Sequence, residues 1–208
     1  MSPPIVIIEG NIGCGKSNLL QYLKTDSRIQ VFEEPIELWT TKDNKNLLEL
    51  MYKEPQLYSF DFQNLVMESM MTQRQRPESG KVVVFERSIF SARYVFAENL
   101  YHNKMLTNQE HEQLNQQFKE NVLQHHPVNL IIYMRVDVET LQNRIARRGR
   151  KEEASVTKTY IEQLNHLYDN WLLRKHFPAP CPISTVDATM VSGNLYPYVK
   201  EKVLRAIL

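Results

Sequence analysis

A chain of 208 residues, 42% hydrophobic and 24% charged, is long enough to bury roughly 70% of the surface it exposes unfolded, and reads as one globular domain spanning 1–208. Its 25 Lys and Arg against 24 Asp and Glu leave a formal charge of +1, which excludes the broad positive field that holds nucleic acid or an anionic membrane. No run approaches the ~20 apolar residues of a membrane span, and Cys14 and Cys181 make neither a disulfide framework nor a metal-ligand pattern. Met1-Ser2-Pro3-Pro4 leads straight into strand-like sequence with no targeting pattern, so a cytoplasmic location is the expectation.

In chain order, strand patterns fall at 4–9, 30–33, 81–86, 128–134 and 182–187, and helical patterns at 16–25, 56–76, 88–101, 107–125, 137–148, 157–176 and 193–206. The third and fourth strands are continuous apolar runs, as a parallel sheet covered on both faces requires. Gly80 punctuates the entry to the third strand, and Thr107 with Glu110 three residues on reads as a capping box. The polar stretch 108–126 keeps Leu114, Phe118 and Val122 at four-residue spacing, which predicts a helix with a broad wet face. The alternation of strand and helix predicts an α/β doubly wound fold, a five-stranded parallel sheet flanked by helices.

The first strand runs into Gly10-Asn11-Ile12-Gly13-Cys14-Gly15-Lys16-Ser17, a complete G-x-x-x-x-G-K-[ST] pattern, and Leu19, Leu20 and Leu23 then mark an amphipathic helix. Glycines let successive N–H groups curl inward onto phosphate oxygens, and the helix N-terminus adds partial positive charge. Lys16 supplies a mobile cation for the β- and γ-phosphates and Ser17 a hydroxyl ligand for Mg²⁺. With strand before and helix after, the pattern predicts nucleoside-triphosphate binding rather than an ordinary glycine turn.

Other stretches admit two readings each. The second strand ends in Glu33-Glu34-Pro35; neighbouring strand residues point to opposite faces, so one of the two acids faces the crevice at the strand ends. That acid is either a general base for an attacking hydroxyl or part of a solvated turn. Glu86-Arg87-Ser88 leaves the third strand either as a metal-binding carboxylate beside a guanidinium for phosphoryl transfer, or as an ion pair capping the next helix. Arg144, Arg147, Arg148 and Arg150 surround Gly149 and read as a cationic lid over 144–153, or as cations complementing a helix C-terminus. Gln63, Val66 and Met70 beside Phe62, and Ser88, Ala92 and Phe96 at four-residue spacing, form a pocket wall or ordinary core.

Taken together, Gly-Asn-Ile-Gly-x-Gly-Lys-Ser, Glu34-Pro-x-x-x-Trp39, Met51-Tyr52, Phe60-x-Phe62-Gln63, Glu86-Arg87-Ser88 and Arg148-Gly-Arg150-x-Glu-Glu153, in this order from Ile5 to Trp171, resemble the deoxyribonucleoside kinase family. The resemblance implies a P-loop fold with a short arginine-rich lid, ATP as phosphoryl donor, Mg²⁺, a deoxynucleoside acceptor and a homodimer. It implies Glu34 as the acid beside the sugar 5′-hydroxyl and Arg87 near that hydroxyl and the phosphates. Glu86 matches the magnesium-associated acid, sometimes described as the base. Tyr52 and Glu153 match the pair on the 3′-hydroxyl and Gln63 the reader of the pyrimidine edge. Phe96 matches the stacking ring, and Ile12, Trp39, Leu48 and Phe62 the pocket walls. Arg144, Arg148 and Arg150 match the lid arginines, and Asp187 is the counterpart of the adenine-contacting loop. Family members devoted to deoxycytidine or purines carry Arg and Asp where this chain has Met70 and Ala92; with Val66 these resemble the thymidine-accepting members. The expectation is thymidine first with deoxycytidine accepted, since a methyl in an apolar pocket is worth only ~1–3 kcal/mol. A thymidylate kinase is the enzymatic rival, though Glu34 at the 5′-position would repel an acceptor phosphate. A GTP-binding switch is the non-enzymatic rival, but the chain lacks its Asn-Lys-x-Asp and Asp-x-x-Gly stretches.

Overall fold

The computed structural model describes residues 3–41, 45–73, 80–123, 127–189 and 193–206. Five parallel strands, β1 (Ile5–Glu9), β2 (Ile29–Phe32), β3 (Val82–Glu86), β4 (Leu130–Arg135) and β5 (Ile183–Asp187), lie in the order β2-β3-β1-β4-β5. The two runs predicted as two-sided strands, β3 and β4, are interior to the sheet with β1 between them: every residue of β1 and β3 and the middle four of β4 are buried, while the edge strands β2 and β5 are only partly covered. Register sets Ile8 beside both Glu86 and Ile132, and Phe32 beside Phe85. The C-terminal ends of β1, β2 and β3 are therefore level, and what leaves them shares one crevice.

Helices cover both faces. α1 (Lys16–Leu23) follows β1, and α2 (Ile36–Thr41), α3 (Leu47–Lys53) and α4 (Pro55–Gln73) follow β2. After β3 come α5 (Ile89–Ser91), a π-helical stretch Ala92–Ala97, α6 (Glu98–His102) and α7 (Asn108–Leu123). α8 (Val138–Arg148), a 3₁₀ turn Lys151–Glu153 and α9 (Lys158–Leu172) follow β4, and α10 (Leu195–Arg205) follows β5. Local chemistry fixes many of these ends. Asp137 and Thr157 cap α8 and α9, accepting from the Thr140 and Tyr160 N–H groups, and Gly149 closes α8 in the left-handed conformation. Thr107 and Glu110 form the predicted reciprocal cap, with Leu114 and Phe118 buried beneath the wet face of α7. Among the described residues, no helix is long and apolar enough to cross a membrane.

Two departures from the sequence reading matter. The segment after Glu34-Pro35, left without a helix, forms α2 and α3; at six and seven residues each they are too short to declare a period. The single helix expected over 88–101 is broken by the π-helical turn carrying Ala92 and Phe96, a geometry that four-residue spacing does not announce. The predicted helix ends at 74–76 and 124–125 lie outside the described residues.

Candidate active site

The site begins where β1 stops. Gly10, Gly13 and Gly15 all take positive φ (150°, 81° and 99°). A side-chain carbon on Gly10 would meet the Met134 carbonyl oxygen at 2.7 Å, and one on Gly13 the Leu141 carbonyl oxygen at 3.1 Å. Only glycine can follow this path between β4 and α8. The Asn11 amide donates to the Ile161 carbonyl and to Asn165 Oδ1 on α9, while its own oxygen accepts the Ile12 N–H. Cys14 is buried in the turn and works as filling. Gly15 forms the left-handed entry to α1, and Lys16 Nζ, 5% exposed, rests 3.1 Å from the Gly10 and Asn11 carbonyl oxygens.

One cavity of about 430 Å³ runs from this loop past the ends of β2 and β3 to the helices beyond. Glu33 and Glu34 part as the alternation requires. Glu33 turns outward to Gln21 and Lys24, whereas Glu34 lines the cavity, both its oxygens 2.7 Å from Arg87 Nη1. Both partners are nearly buried, 7% and 8% exposed. Arg87 holds a left-handed backbone (φ 58°) that a side chain rarely adopts, and its guanidinium lies 4.9 Å from the centre of the Phe96 ring. Arg87 Nη2 also reaches the Gly10 carbonyl oxygen at 3.4 Å, so phosphate loop and ion pair are joined. Glu86 receives the Ser17 hydroxyl at 3.4 Å and the Glu34 N–H at 3.5 Å; burial, then the Glu34 charge, push its carboxyl upward.

Away from the loop the walls are apolar with a few polar atoms. Trp39 and Phe62 meet edge to face at 5.7 Å, and Trp39 Nε1 donates to Ser69 Oγ at 2.9 Å, which fixes the indole. Ile12, Leu48, Val66, Met70, Ala92 and Phe96 line the same space. Gln63 joins them, only 2% exposed, and its Oε1 has no hydrogen-bond partner among the described residues. A buried amide oxygen left unpaired is destabilising by ~1–3 kcal/mol, so this atom is free to accept from a polar group that enters the cavity. Tyr52 stands edge to face with Tyr160; burial first, then the Tyr160 and Glu153 charges, push its phenol well above the ordinary value. Glu153 is buried and paired with Arg148 and Arg150, so the segment after Gly149 folds back over the cavity through its own ion pairs. Arg144 donates to the Cys14 and Thr189 carbonyl oxygens.

The structure thus gathers into one cavity the residues singled out from sequence, except that Gly10, Asn11 and Cys14 shape the loop from behind and neither Ser88, which turns to Glu9, nor Asp187 lines it. The Asp187 carboxylate accepts the Thr189 N–H, forming the turn whose carbonyl holds Arg144. Asn18, Ile36, Tyr160 and Tyr196 also line the cavity and were not singled out, and Met51 and Arg147, named only as parts of their motifs, line it too. Tyr160 and Tyr196 arrive from α9 and α10 with no local pattern to mark them.

The donor set suits the groups implied. Three glycines leave a curled backbone facing a lysine, and a hydroxyl beside a carboxylate is the hard-oxygen pairing Mg²⁺ takes alongside phosphate and water. A family model for deoxynucleoside kinases matches residues 6–207. Human mitochondrial thymidine kinase 2 is 32% identical over 187 residues, covering 88% of this chain and 70% of that protein. Human deoxycytidine kinase is 31% identical over an alignment of 236 residues (95% and 88%), and deoxycytidine kinase 1 of Xenopus laevis is 33% identical over 218 (88% and 81%). With a phosphate loop and an enclosed apolar pocket joined by one acid–guanidinium pair, the chain belongs to the deoxynucleoside kinase family, an enzyme that phosphorylates deoxynucleosides with ATP.

Proposed function

We propose that the enzyme phosphorylates the 5′-hydroxyl of thymidine by preference, with deoxycytidine as a second substrate, and that Glu34 is the general base. The observation that carries the chemical part is the buried Glu34–Arg87 pair, bonded at 2.7 Å between the phosphate loop and the apolar pocket. A hydroxyl entering from the pocket side meets the Glu34 carboxylate, which takes its proton, while Arg87 faces the charge that develops on the transferring group. Lys16 and the curled N–H groups of residues 10–17 hold the donor phosphates in line, and Arg144, Arg148 and Arg150 close over them and exclude water. Ser17 and Glu86 would hold Mg²⁺, whose contribution is to neutralise phosphate charge. This assignment leaves Glu86 beside the phosphate loop and frees Glu34 to act as base. Tyr52 and Glu153 take the 3′-hydroxyl, Gln63 pairs with the base edge and Phe96 stacks on its ring.

Thymidine preference rests on the uncharged lining around Val66, Met70 and Ala92, which leaves apolar room for a 5-methyl group. A homodimer belongs to the same reading and is carried by the family alone; sedimentation measures it. The test of the chemistry is transfer from ATP to each deoxynucleoside and to thymidylate, in wild type and Glu34→Gln. Selective thymidine turnover that falls about 10²–10⁴-fold in the variant, with ATP binding intact, is the expected result. Thymidine turnover that survives Glu34→Gln moves the base role to Glu86, and turnover of thymidylate alone overturns the acceptor assignment.

A further inference from the structure

Glu9, the last residue of β1, is fully buried immediately before the phosphate loop and has no part in the chemistry above. Its two oxygens divide their work. Oε1 accepts the Ser88 hydroxyl at 2.6 Å, and Oε2 accepts the Tyr168 hydroxyl at 3.3 Å. Ser88 is the residue that follows Arg87, and it is locked by reciprocal hydrogen bonds with Ser91 at the start of α5. The Tyr168 oxygen in turn accepts Arg87 Nε at 3.2 Å. The Tyr168 ring is itself fixed, stacked on Tyr133 at 5.8 Å and edge-on to Phe96 at 6.4 Å. One carboxylate therefore grips Arg87 twice, through the backbone that leaves it and through a bonded group on its guanidinium, at a residue whose φ of 58° would otherwise relax.

We infer that Glu9 and Tyr168 are positioning residues for phosphoryl transfer, a buried brace that holds the Arg87 guanidinium against Glu34. The inference rests on the reading of Arg87 given above. It also accounts for a carboxyl kept where burial pushes it up to about 7, against the opposing pull of Ser88, Arg87, Ser91 and Lys16. The folded protein holds this proton across a window in which the unfolded chain, with a carboxyl near 4.5, has released it. The folded state then binds more protons than the unfolded, so this group's contribution to stability falls as pH rises from about 4.5 to about 7.

The experiment measures kcat, KM for thymidine and for ATP, and melting temperature at pH 5.5 and 8 for wild type, Glu9→Gln, Tyr168→Phe, the double variant and Arg87→Lys. Arg87→Lys tests the underlying reading by itself: full activity there means the guanidinium is not used and leaves the brace nothing to position. With Arg87→Lys impaired, Glu9→Gln and Tyr168→Phe each lower kcat about tenfold with both KM values little changed, a loss typical of a slightly misplaced group. The double variant loses little more than either single one, because both act through one chain of bonds. Glu9→Gln melts higher than wild type at pH 8, and this gain shrinks at pH 5.5. Wild-type kcat in Glu9→Gln, or a kcat loss that tracks a lowered melting temperature at both pH values, overturns the inference.

Discussion

The two ends of the cavity are built on opposite plans. The floor of the donor end is one continuous stretch, residues 10–17, whose shape comes from glycine φ angles and whose polar groups are main-chain N–H with Lys16 and Ser17, beneath the lid arginines. The acceptor end is assembled from side chains on α2, α3, α4, the π-helical turn, the 3₁₀ turn and α9. The difference follows from what each end has to recognise. A triphosphate tail is the same on every donor, so fixed backbone dipoles suffice. Nucleosides differ at one base edge and one sugar position, which only side chains can tell apart.

That contrast can be broken by substitution. Lys16→Ala removes the only side-chain cation of the loop motif; we expect kcat to fall on the order of 10³-fold, as for loss of one preorganised transition-state contact, with every deoxynucleoside affected alike. Gln63→Leu acts at the other end and should split the substrates. Nucleoside kcat/KM drops about 10–100-fold, the KM for ATP is unchanged, and the protein melts no lower than wild type, because the variant removes a buried oxygen that has no partner in the empty cavity. Equal losses toward ATP and nucleoside in titration calorimetry would erase the distinction between the two ends. The smallest effect is at Ser69→Ala, which releases the Trp39 indole N–H from its 2.9 Å bond. It should lower stability by ~1 kcal/mol in urea melts and raise the nucleoside KM a few-fold, leaving kcat in place.

The same contrast explains how much was legible in the chain. The phosphate loop is a local object, so its spacing and its flanking strand and helix announce it. The sheet is nearly as plain, since Val82–Phe85 and Leu130–Met134 are apolar without interruption. The Glu33/Glu34 division follows from strand alternation alone. The acceptor wall is harder: Gln63, Val66 and Met70 fit an ordinary core stripe, and only the family resemblance lifted them out of it. The π-helical turn at Ala92–Ala97 has no signature that four-residue spacing separates from an α-helix. Glu9 looks like the last residue of a strand and nothing more. Its partners lie 79 and 159 residues further on, at Ser88 and Tyr168. Tyr160 and Tyr196 are invisible for the same reason, being ordinary amphipathic-helix residues until the helices pack.

The Asn11 amide bonds to α9 have a consequence for the order in which the enzyme becomes competent. The glycine motif leaves the ribosome before α8 and α9 do. Yet its loop is wedged against Leu141 and Ile145 of α8, and Asn11 is tied to partners 150 and 154 residues downstream. A nascent chain that stops short of α9 carries the whole motif without the contacts that curl it, because such distant pairings form late. Nucleotide should therefore protect only chains extended past Asn165, and ribosome-stalled fragments of increasing length should gain ATP-dependent protease resistance in one step there rather than at the motif itself.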